Sequence, residues 1–313
     1  MRKLDIKEIN RRAKCDPKGF IEEAEKKYAD NVETAAKDLL ERMHKSPIML
    51  LSGPSGSGKT TTAERIKLTL KAHGVSTHTI SMDNYFNTRT DDNTPLDEDG
   101  NEDLESPLCL DISLINAHLA TLIKGGDIEV PKFDFASQSR LAEPSEVVKL
   151  HKDEIMIIEG IHALNENIIG QIGEHAVKMY VSVKTSITDE DNIIIRYYWT
   201  RLLRRAIRDY NFRGASLERT LTLWKNVRRG ERKYIKPYKY RADISIDTYH
   251  DYEMCVLLPE MREQIKNCDK ELFNMADAEG FAEHLDDFAD IDKNLIPSYS
   301  LVREFLGESS LSY

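Results

Sequence analysis

The segment 47–62 constrains the fold most, because it joins a strand, a glycine-rich turn and the start of a helix. Residues 48–51 form an apolar run of strand length, and residues 53–60, Gly-Pro-Ser-Gly-Ser-Gly-Lys-Thr, match the pattern G-x-x-x-x-G-K-[ST]. Glycines let the backbone curl so that successive N–H groups point at phosphate oxygens, and a helix predicted over 60–71 adds the positive end of its dipole. The pattern therefore predicts a phosphate-binding loop. A glycine-rich turn with a chance lysine is the alternative.

The residues of such a loop have separate tasks. Lys59 reaches the β- and γ-phosphates of a nucleotide, and the Thr60 hydroxyl binds Mg²⁺. We therefore expect ATP and Mg²⁺ as cofactors. The residues of this segment predicted to contact ATP are Gly53, Ser55, Gly56, Ser57, Gly58, Lys59, Thr60 and Thr61.

Composition limits the class of protein. The chain has 313 residues, 40% of them hydrophobic, which is enough for one large domain or two smaller ones. No stretch approaches the length of a membrane-spanning apolar run, and the N-terminus has no apolar signal region. The four cysteines form no C-x-x-C pair, which argues against a disulfide framework and a zinc site. We expect a reduced, cytoplasmic compartment and no membrane partner.

Charge is unevenly distributed along the chain. The formal net charge of −10 argues against a general nucleic-acid binder. Residues 91–105 are nevertheless strongly acidic, and residues 196–241 are strongly basic. An acidic protein with one basic block is expected to use that block on a small polyanion, although a solvated helix face is the ordinary alternative. The expected partner is a small-molecule substrate, and self-association into a homo-oligomer stays open.

Predicted strands and helices alternate. Strands are predicted over 48–51, 76–82, 154–159, 178–183 and 242–248, and helices over 60–71, 111–124, 189–210 and 216–232. Asp111 is the expected N-cap of the second helix, which Gly125 and Gly126 end. The alternation predicts an α/β fold with a parallel sheet and helices on both faces.

The chain divides into three segments. Residues 1–46 are predicted as a helical N-terminal extension with one amphipathic face, residues 47–250 as the nucleotide-binding domain, and residues 251–313 as a helical C-terminal extension packed on it. Within the middle segment, residues 87–107 are rich in Asp, Asn, Gly and Pro and predict an acidic loop or mobile hairpin on the substrate side. Residues 196–232 predict an Arg-rich lid.

Two acidic residues follow predicted strands. Glu159 ends an apolar run, where its carboxylate can hold Mg²⁺ directly or through water. Asp83 follows the second strand, where it can accept a proton from an attacking hydroxyl. Because ligands bind beyond the carboxyl ends of parallel strands, both acids are expected beside the phosphate-binding loop. The alternatives are a buried strand that ends in Glu by chance and an Asp that caps the next turn.

An arginine block follows the last of these motifs. Arg201, Arg204, Arg205 and Arg208 are spaced by three and four residues, which puts them on one broad helical face, and Arg213 follows. Arg suits bidentate oxygen contacts and the neutralisation of transition-state charge. We interpret this face as a phosphate-facing lid, with Arg204 and Arg208 catalytic and the other three on ATP. A solvated helix laced with ion pairs is the alternative, although acids are scarce nearby.

The order of these parts resembles that of uridine kinases, which group with phosphoribulokinases and pantothenate kinases among the P-loop kinases. The resemblance covers about 47–250 and is carried by residues 53–60, 81–86 (Ser-Met-Asp-Asn-Tyr-Phe), 105–107 with Asp111, 131–135 (Pro-Lys-Phe-Asp-Phe) with Ser139 and Arg140, 159–162 (Glu-Gly-Ile-His), 201–214 and 240–243 (Tyr-Arg-Ala-Asp). Residues 296–307 resemble the C-terminus of longer bacterial uridine-kinase-like proteins. We do not expect the threonyl-tRNA-synthetase-like N-terminal module of those proteins in this chain.

The resemblance implies a P-loop NTPase fold and ATP-dependent phosphoryl transfer to an alcohol, the 5′-hydroxyl of a nucleoside. Asp83 would be the general base beside Lys59, and Thr60, Asp83 and Glu159 would surround Mg²⁺. Glu105 stands where the family has an Asp that binds ribose hydroxyls. The residues implied in substrate binding are Asp83, Tyr85, Glu105, Phe133, Phe135, Gln138, Arg140 and His162.

Two positions depart from the family pattern. Phe133 and Gln138 replace the Tyr and His that contact the polar edge of the pyrimidine in the family. Phe133 keeps a stacking surface without a hydroxyl, and Gln138 offers a donor and an acceptor without a titrating charge. A site without the polar side chains that hydrogen-bond the base discriminates less between bases, so another nucleoside or another polyol stays open as the acceptor.

Other functions remain as alternatives. One is a kinase for a non-nucleoside acceptor, such as a sugar phosphate or a pantothenate-like alcohol; the acidic stretch 91–105 argues against the sugar phosphate. Another is a non-catalytic nucleotide-binding regulator or a nucleic-acid binder, supported by the basic block alone. A GTPase and an ABC-type ATPase are disfavoured, because the chain has neither an N-K-x-D segment nor an L-S-G-G-Q segment.

Overall fold

The computed structural model describes residues 2–90, 93–135 and 137–311, so Asp91 and Asp92 of the acidic stretch lie outside the described residues. The strands, in chain order, are β1 (Arg2–Asp5), β2 (Ile48–Ser52), β3 (Ser76–Ser81), β4 (Asp127–Val130), β5 (Phe133–Asp134), β6 (Ser139–Arg140), β7 (Glu146–Lys149), β8 (Glu154–Glu159), β9 (Ala176–Ser182), β10 (Thr185–Asp189), β11 (Asn192–Ile195) and β12 (Ile244–Asp247). The α-helices are α1 (Ile6–Cys15), α2 (Pro17–Arg42), α3 (Lys59–Ala72), α4 (Ile112–Ile123), α5 (Glu166–Ile169), α6 (Tyr197–Arg213), α7 (Leu217–Gly230), α8 (Glu253–Asn267), α9 (Lys270–Met275) and α10 (Arg303–Leu306).

Five parallel strands form the central sheet in the order β12-β9-β2-β8-β3. Both Leu51 of β2 and Ser81 of β3 lie in register with Glu159 of β8, so these three strands end at the same level. The connections that follow them therefore start side by side at one edge of the sheet. This register brings the phosphate-binding loop, Asp83 and Glu159 to the same place.

Both faces of the sheet are covered, as the alternation predicted. Ile48 and Leu50 point into a core shared with α4, whereas Met49 and Leu51 point into a second core shared with α2 and α3. Strands that are buried on both faces read as continuous apolar runs, which explains why β2 and β8 were recognisable from sequence. The α/β fold with helices on both faces is confirmed.

Helix α4 shows why its ends were predictable. Asp111 accepts a hydrogen bond from the backbone N–H of Leu114 at 3.0 Å, so it is the N-cap. The helix ends at Ile123, and Gly125 follows with a φ of 75°, a left-handed conformation that glycine adopts without strain.

Secondary structure was predicted wrongly in two segments, which pair as strands of one sheet. Residues 2–5 form β1, not helix, and the helix predicted from 189 begins only at Tyr197, after β10 and β11. In the three-stranded sheet β1-β10-β11, Arg2 lies in register with Thr185, far along the chain. β-Branched residues such as Ile193 and Ile195 favour strands, but a partner so distant in sequence gives no local signal.

A third core joins both ends of the chain to the middle. Leu202, Leu203, Ala206 and Ile207 of α6 are buried against α7, α8 and the segments that follow them, and Ile9 of α1 belongs to the same core. Helix α6 is thus packed from Tyr198 to Asp209, and its last turn is exposed. Within residues 2–90, 93–135 and 137–311, every helix is too short or too polar to cross a membrane.

Candidate active site

The phosphate-binding loop connects β2 to α3 and depends on glycine at two positions. Gly56 and Gly58 have φ values of 71° and 78°. A Cβ at Gly56 would lie 2.7 Å from the backbone oxygen of Arg201, and one at Gly58 would lie 2.5 Å from Leu301 Cδ1. Any larger residue here would be strained by its backbone conformation and by its neighbours. The loop then enters α3 at Lys59, whose first-turn N–H groups face the cavity beyond the sheet.

The loop and the predicted acids line one cavity of about 250 Å³. Lys59 and Thr60 lie on its floor, and the carboxylates of Asp83, Glu105 and Glu159 lie around it. Its remaining polar lining comes from Ser55, Ser57, Arg205, Arg208, Arg213 and Glu304. The structure therefore brings together residues from separate segments of the chain, although their roles in binding or catalysis stay predictions.

The cavity holds charges that perturb one another. Burial raises the pKa of Glu159 to about 7, Lys59 opposes this, and Asp83 adds to it by repulsion. Loss of hydration among the walls of the cavity also raises the pKa values of Asp83 and Glu105 and lowers that of Lys59. The hydroxyl of Ser81 donates a hydrogen bond to Glu159 at 2.8 Å. Acids that repel each other across a cavity favour a cation or a proton between them.

The oxygen donors in the cavity fit Mg²⁺. Two carboxylates, of Asp83 and Glu159, and the hydroxyl of Thr60 line it together, and Mg²⁺ prefers oxygen ligands. Among the described residues, no three His, Cys, Asp or Glu side chains form a metal cage. This agrees with the usual binding of Mg²⁺ through one or two carboxylates together with substrate phosphates and water.

The arginine block divides into two sets, and the prediction was wrong for two of its members. The side chains of Arg201 and Arg204 are fully buried, at 0% exposure, so they do not reach the cavity. Arg201 pairs with Glu231 at 2.6 Å and donates to the backbone oxygen of Ser55 at 3.1 Å. These two arginines support the loop from its buried side, through hydrogen bonds to its backbone oxygens. The helical face that carries the arginines lies partly at the cavity and partly in the protein core, so its members have different surroundings.

Arg204 is fixed in the same manner by a second buried acid. Its guanidinium pairs with Glu253 at 2.6 Å, and donates to the backbone oxygens of Thr248 and Gly56 at 2.8 and 3.3 Å. It therefore ties the phosphate-binding loop to the end of β12. A catalytic role by direct contact, as predicted, is not compatible with this burial.

Arg205, Arg208 and Arg213 do line the cavity, and one acid gathers them. Asp209 lies 3.2 Å from Arg205, 2.9 Å from Arg208 and 3.5 Å from Arg213. Arg205 also donates to the hydroxyl of Ser55 in the loop at 3.0 Å. Three cations held by a single carboxylate leave excess positive charge facing the phosphate-binding loop.

A second cavity of about 150 Å³ adjoins the first and is mostly apolar. The two share Phe86, Leu104 and Phe135 as common wall. Phe133 completes an aromatic cluster, with ring centroids 5.5 Å from Phe86 and 5.1 Å from Phe135. Rings in this arrangement form a surface on which another flat ring can stack.

The polar edge of this aromatic pocket is organised by Arg89. Its guanidinium donates to Gln138 Oε1 at 2.7 Å and also pairs with Glu102, and its backbone N–H donates to the Gln138 carbonyl at 3.0 Å. Gln138 has a φ of 53°, which is uncommon outside glycine. The amide oxygen of Gln138 thus accepts from Arg89, and its NH₂ group is left as a donor.

Glu105 reaches the cavity only because α7 ends in a glycine. A Cβ at Gly230 would lie 2.3 Å from Glu105 Cβ. The close approach places the carboxylate between the phosphate-binding loop and the aromatic pocket, where it lines the first cavity.

Three other residues predicted as substrate contacts, Tyr85, Arg140 and His162, line neither of these two cavities. Tyr85 is 4% exposed, and its hydroxyl bonds to His118 at 3.0 Å. Arg140 pairs with Asp111 at 3.1 Å and donates to the backbone oxygens of residues 85 and 86. His162 is 3% exposed and bonds to the backbone of Glu105. All three position the neighbours of the cavity and do not face it.

Several residues of the site were missed or left without a role. Asp209 was noted only as a nearby acid, and no local pattern marks it as the partner of three arginines. Arg89 and Glu304 come from the acidic loop and the C-terminal segment, and only the folded chain brings them to the site. Phe86 belongs to the motif at residues 81–86, and its place there next to Tyr85 was the sequence signal that could have marked it as a pocket residue.

Comparison with known proteins identifies the family of this chain. The model of the phosphoribulokinase / uridine kinase family matches residues 48–254, and the chain belongs to that family. A uridine kinase of Staphylococcus epidermidis is 30% identical over 65% of this chain and 88% of its own length. One from Ligilactobacillus salivarius is 29% identical over 73% of this chain and 99% of its own. The solved structure of a possible uridine kinase from Bacillus stearothermophilus has a TM-score of 0.44 at 19% identity, over 70% of this chain and 98% of that one.

Proposed function

We propose that this protein is a kinase that moves the γ-phosphoryl group of ATP to the hydroxyl of a nucleoside. The supporting observation is one cavity in which the phosphate-binding loop, Asp83 and three arginines of α6 meet, next to an aromatic pocket that shares part of its wall. Uridine kinases among the curated relatives favour a pyrimidine nucleoside.

The reaction follows from the residues on the cavity wall. The Asp83 carboxylate accepts the proton of the acceptor hydroxyl, whose oxygen forms a bond to the γ-phosphorus. The bond from that phosphorus to the β–γ bridging oxygen breaks, and ADP leaves. Lys59, Arg205 and Arg208 balance the charge on the phosphoryl oxygens. Thr60, Asp83 and Glu159 are the residues that would hold Mg²⁺, which neutralises phosphate charge when bound.

The acceptor side favours a flat ring with a hydrogen-bond acceptor at its edge. Phe86, Phe133 and Phe135 supply a stacking surface, and Gln138 supplies a donor. A carbonyl oxygen of a pyrimidine satisfies that donor, and the Glu105 carboxylate is placed to accept hydrogen bonds from ribose hydroxyls. A sugar phosphate has no aromatic ring to stack there, so the aromatic pocket argues against a sugar phosphate as the acceptor.

A nucleoside panel with ATP and Mg²⁺, scored by ADP release, tests the proposal. We expect transfer to a pyrimidine nucleoside. Asp83→Asn should keep ADP binding and lower kcat by roughly 10²–10⁴, the usual contribution of a general base. Transfer to no nucleoside despite ADP binding would remove the acceptor assignment, and near-normal turnover of Asp83→Asn would remove the base.

A further inference from the structure

The C-terminal segment, residues 296–307, forms one wall of the nucleotide site. Leu301 lies directly against Gly58 of the phosphate-binding loop and is fully buried. Three residues later, Glu304 lines the same cavity as Lys59 and Thr60. A part of the chain outside the matched family region, which ends at 254, thus contacts the loop that would hold the phosphates.

The Glu304 carboxylate is bonded to the loop itself. Its Oε2 accepts a hydrogen bond from Thr61 Oγ1 at 2.6 Å, and the backbone N–H of Thr61 lies 3.4 Å from the same oxygen. Thr61 is the third residue of α3, so its N–H belongs to the first turn, at the positive end of the helix dipole. A hydroxyl and an amide in this position are donors that a phosphate group takes at such a loop.

We propose that Glu304 sets the nucleotide affinity of the site, because its carboxylate takes the place of a nucleotide phosphate at Thr61 and is displaced when the nucleotide binds. The inference rests on the proposed function in one respect, that the loop binds a nucleotide. It adds a competing anion, supplied by the chain, that the nucleotide must replace.

Displacement requires only the side chain to move. The flanking Phe305 is fully buried, the guanidinium of Arg204 lies over its ring at 5.2 Å, and Asn211 donates to its backbone oxygen at 3.3 Å. The backbone at 304 is therefore held in place. The Glu304 side chain is partly exposed and has three rotatable bonds, so its carboxylate can rotate away from Thr61 without movement of the backbone. It then gives up a charge-assisted hydrogen bond, which opposes nucleotide binding.

The test is a calorimetric titration of the full chain with ADP in the presence of Mg²⁺. Glu304→Gln keeps the size of the side chain and removes its charge, and we expect the Kd for ADP to fall about 10-fold or more, as the loss of a charge-assisted contact predicts. Glu304→Asp keeps the charge but draws the carboxylate back by one methylene. It should also tighten ADP binding if the contact with Thr61 matters.

Glu308→Gln is the matched control, since it makes the same change of charge four residues further on. Glu308 is 78% exposed and pairs with Arg303 at 3.0 Å, away from the loop. Its Kd should stay within about twofold of the parent value. Unchanged or weaker ADP binding in both Glu304 variants would overturn the inference, as would equal tightening in the Glu308 control. Absence of ADP binding in the parent and all variants would instead overturn the proposed function.

Discussion

Arg204 offers the sharpest test of the structure, because its position suggests a structural role where its sequence suggested a catalytic one. The guanidinium pairs with Glu253 at 2.6 and 3.1 Å, and both side chains are 0% exposed. It also donates to the backbone oxygens of Gly56 and Thr248. We predict that Arg204→Met mainly lowers the free energy of unfolding.

The expected loss in the free energy of unfolding depends on Glu253, which stays buried when its arginine partner is removed. Removing one partner of a buried ion pair costs about 3–5 kcal/mol, because the other charge stays buried without compensation. Burial already raises the pKa of Glu253 to about 7 against the effect of Arg204, so without that arginine the carboxyl takes up a proton. Protonation limits the loss to the lower end, about 3 kcal/mol near pH 7.

The sign of the pH dependence is a further check. In Arg204→Met the folded-state pKa of Glu253 lies above its already raised value, so the folded chain holds a proton that the unfolded chain has released. Stability therefore falls as pH rises, until the pH reaches that folded-state pKa. Between pH 7 and 8 the parent should lose about 0.4 kcal/mol through Glu253, whereas the variant should lose up to about 1.4 kcal/mol.

Urea denaturation at pH 7 and 8, together with measurement of kcat, distinguishes a structural from a catalytic role of Arg204. Arg208→Met is the control: Arg208 lies on the same helix but lines the cavity, so it should lower kcat with a small change in stability. The double variant Arg204→Met, Glu253→Gln should regain part of the lost stability. A loss below about 1 kcal/mol for Arg204→Met, with kcat reduced as far as in Arg208→Met, would refute the reasoning.

Three further predictions concern other parts of the site. Gly58→Ala should lower the free energy of unfolding by about 1–3 kcal/mol and remove most ADP affinity, because its Cβ would meet Leu301. Gly74→Ala has a similar φ of 83° but open space around it, so it should lose less stability and bind ADP normally; equal effects of the two variants on ADP binding would contradict this reasoning. Burial lowers the pKa of His162 to about 4, so the parent loses stability as pH falls from 6.5 toward 4, by about 2 kcal/mol at pH 5, and urea denaturation of His162→Gln should lack this component. Gln138→Glu replaces a donor by an acceptor and should raise KM for a pyrimidine nucleoside about 10-fold or more; an unchanged KM would show that Gln138 does not read the ring.

The nucleotide half of the site was predictable because its signals are local. The loop pattern fixes which backbone amides converge, and β2, β3 and β8 are short apolar runs whose carboxyl ends had to meet in a parallel sheet. Placing Asp83 and Glu159 beside Lys59 therefore needed no knowledge of distant contacts. Helix α4 was predictable for the same reason, since its cap and its stop lie within it.

The arginines show where local signals end. Spacing correctly put Arg201, Arg204, Arg205 and Arg208 on one side of a helix, but the buried acids Glu231 and Glu253 decide which of them are covered. Periodicity describes a face and says nothing of what packs against it. The errors at residues 2–5 and 189–196 have the same origin, because β1 and β10 stabilise each other across most of the chain.

By itself, then, the sequence determined a parallel α/β sheet, a phosphate-binding loop and two acids at its edge, since each depends on neighbours within a few residues. The tertiary structure alone decided that Arg201 and Arg204 support the loop, that Arg89 binds the amide oxygen of Gln138, and that Glu304 reaches Thr61. Each of these contacts joins residues at least 49 positions apart. Their positions are fixed by packing of the whole chain, which no short pattern records.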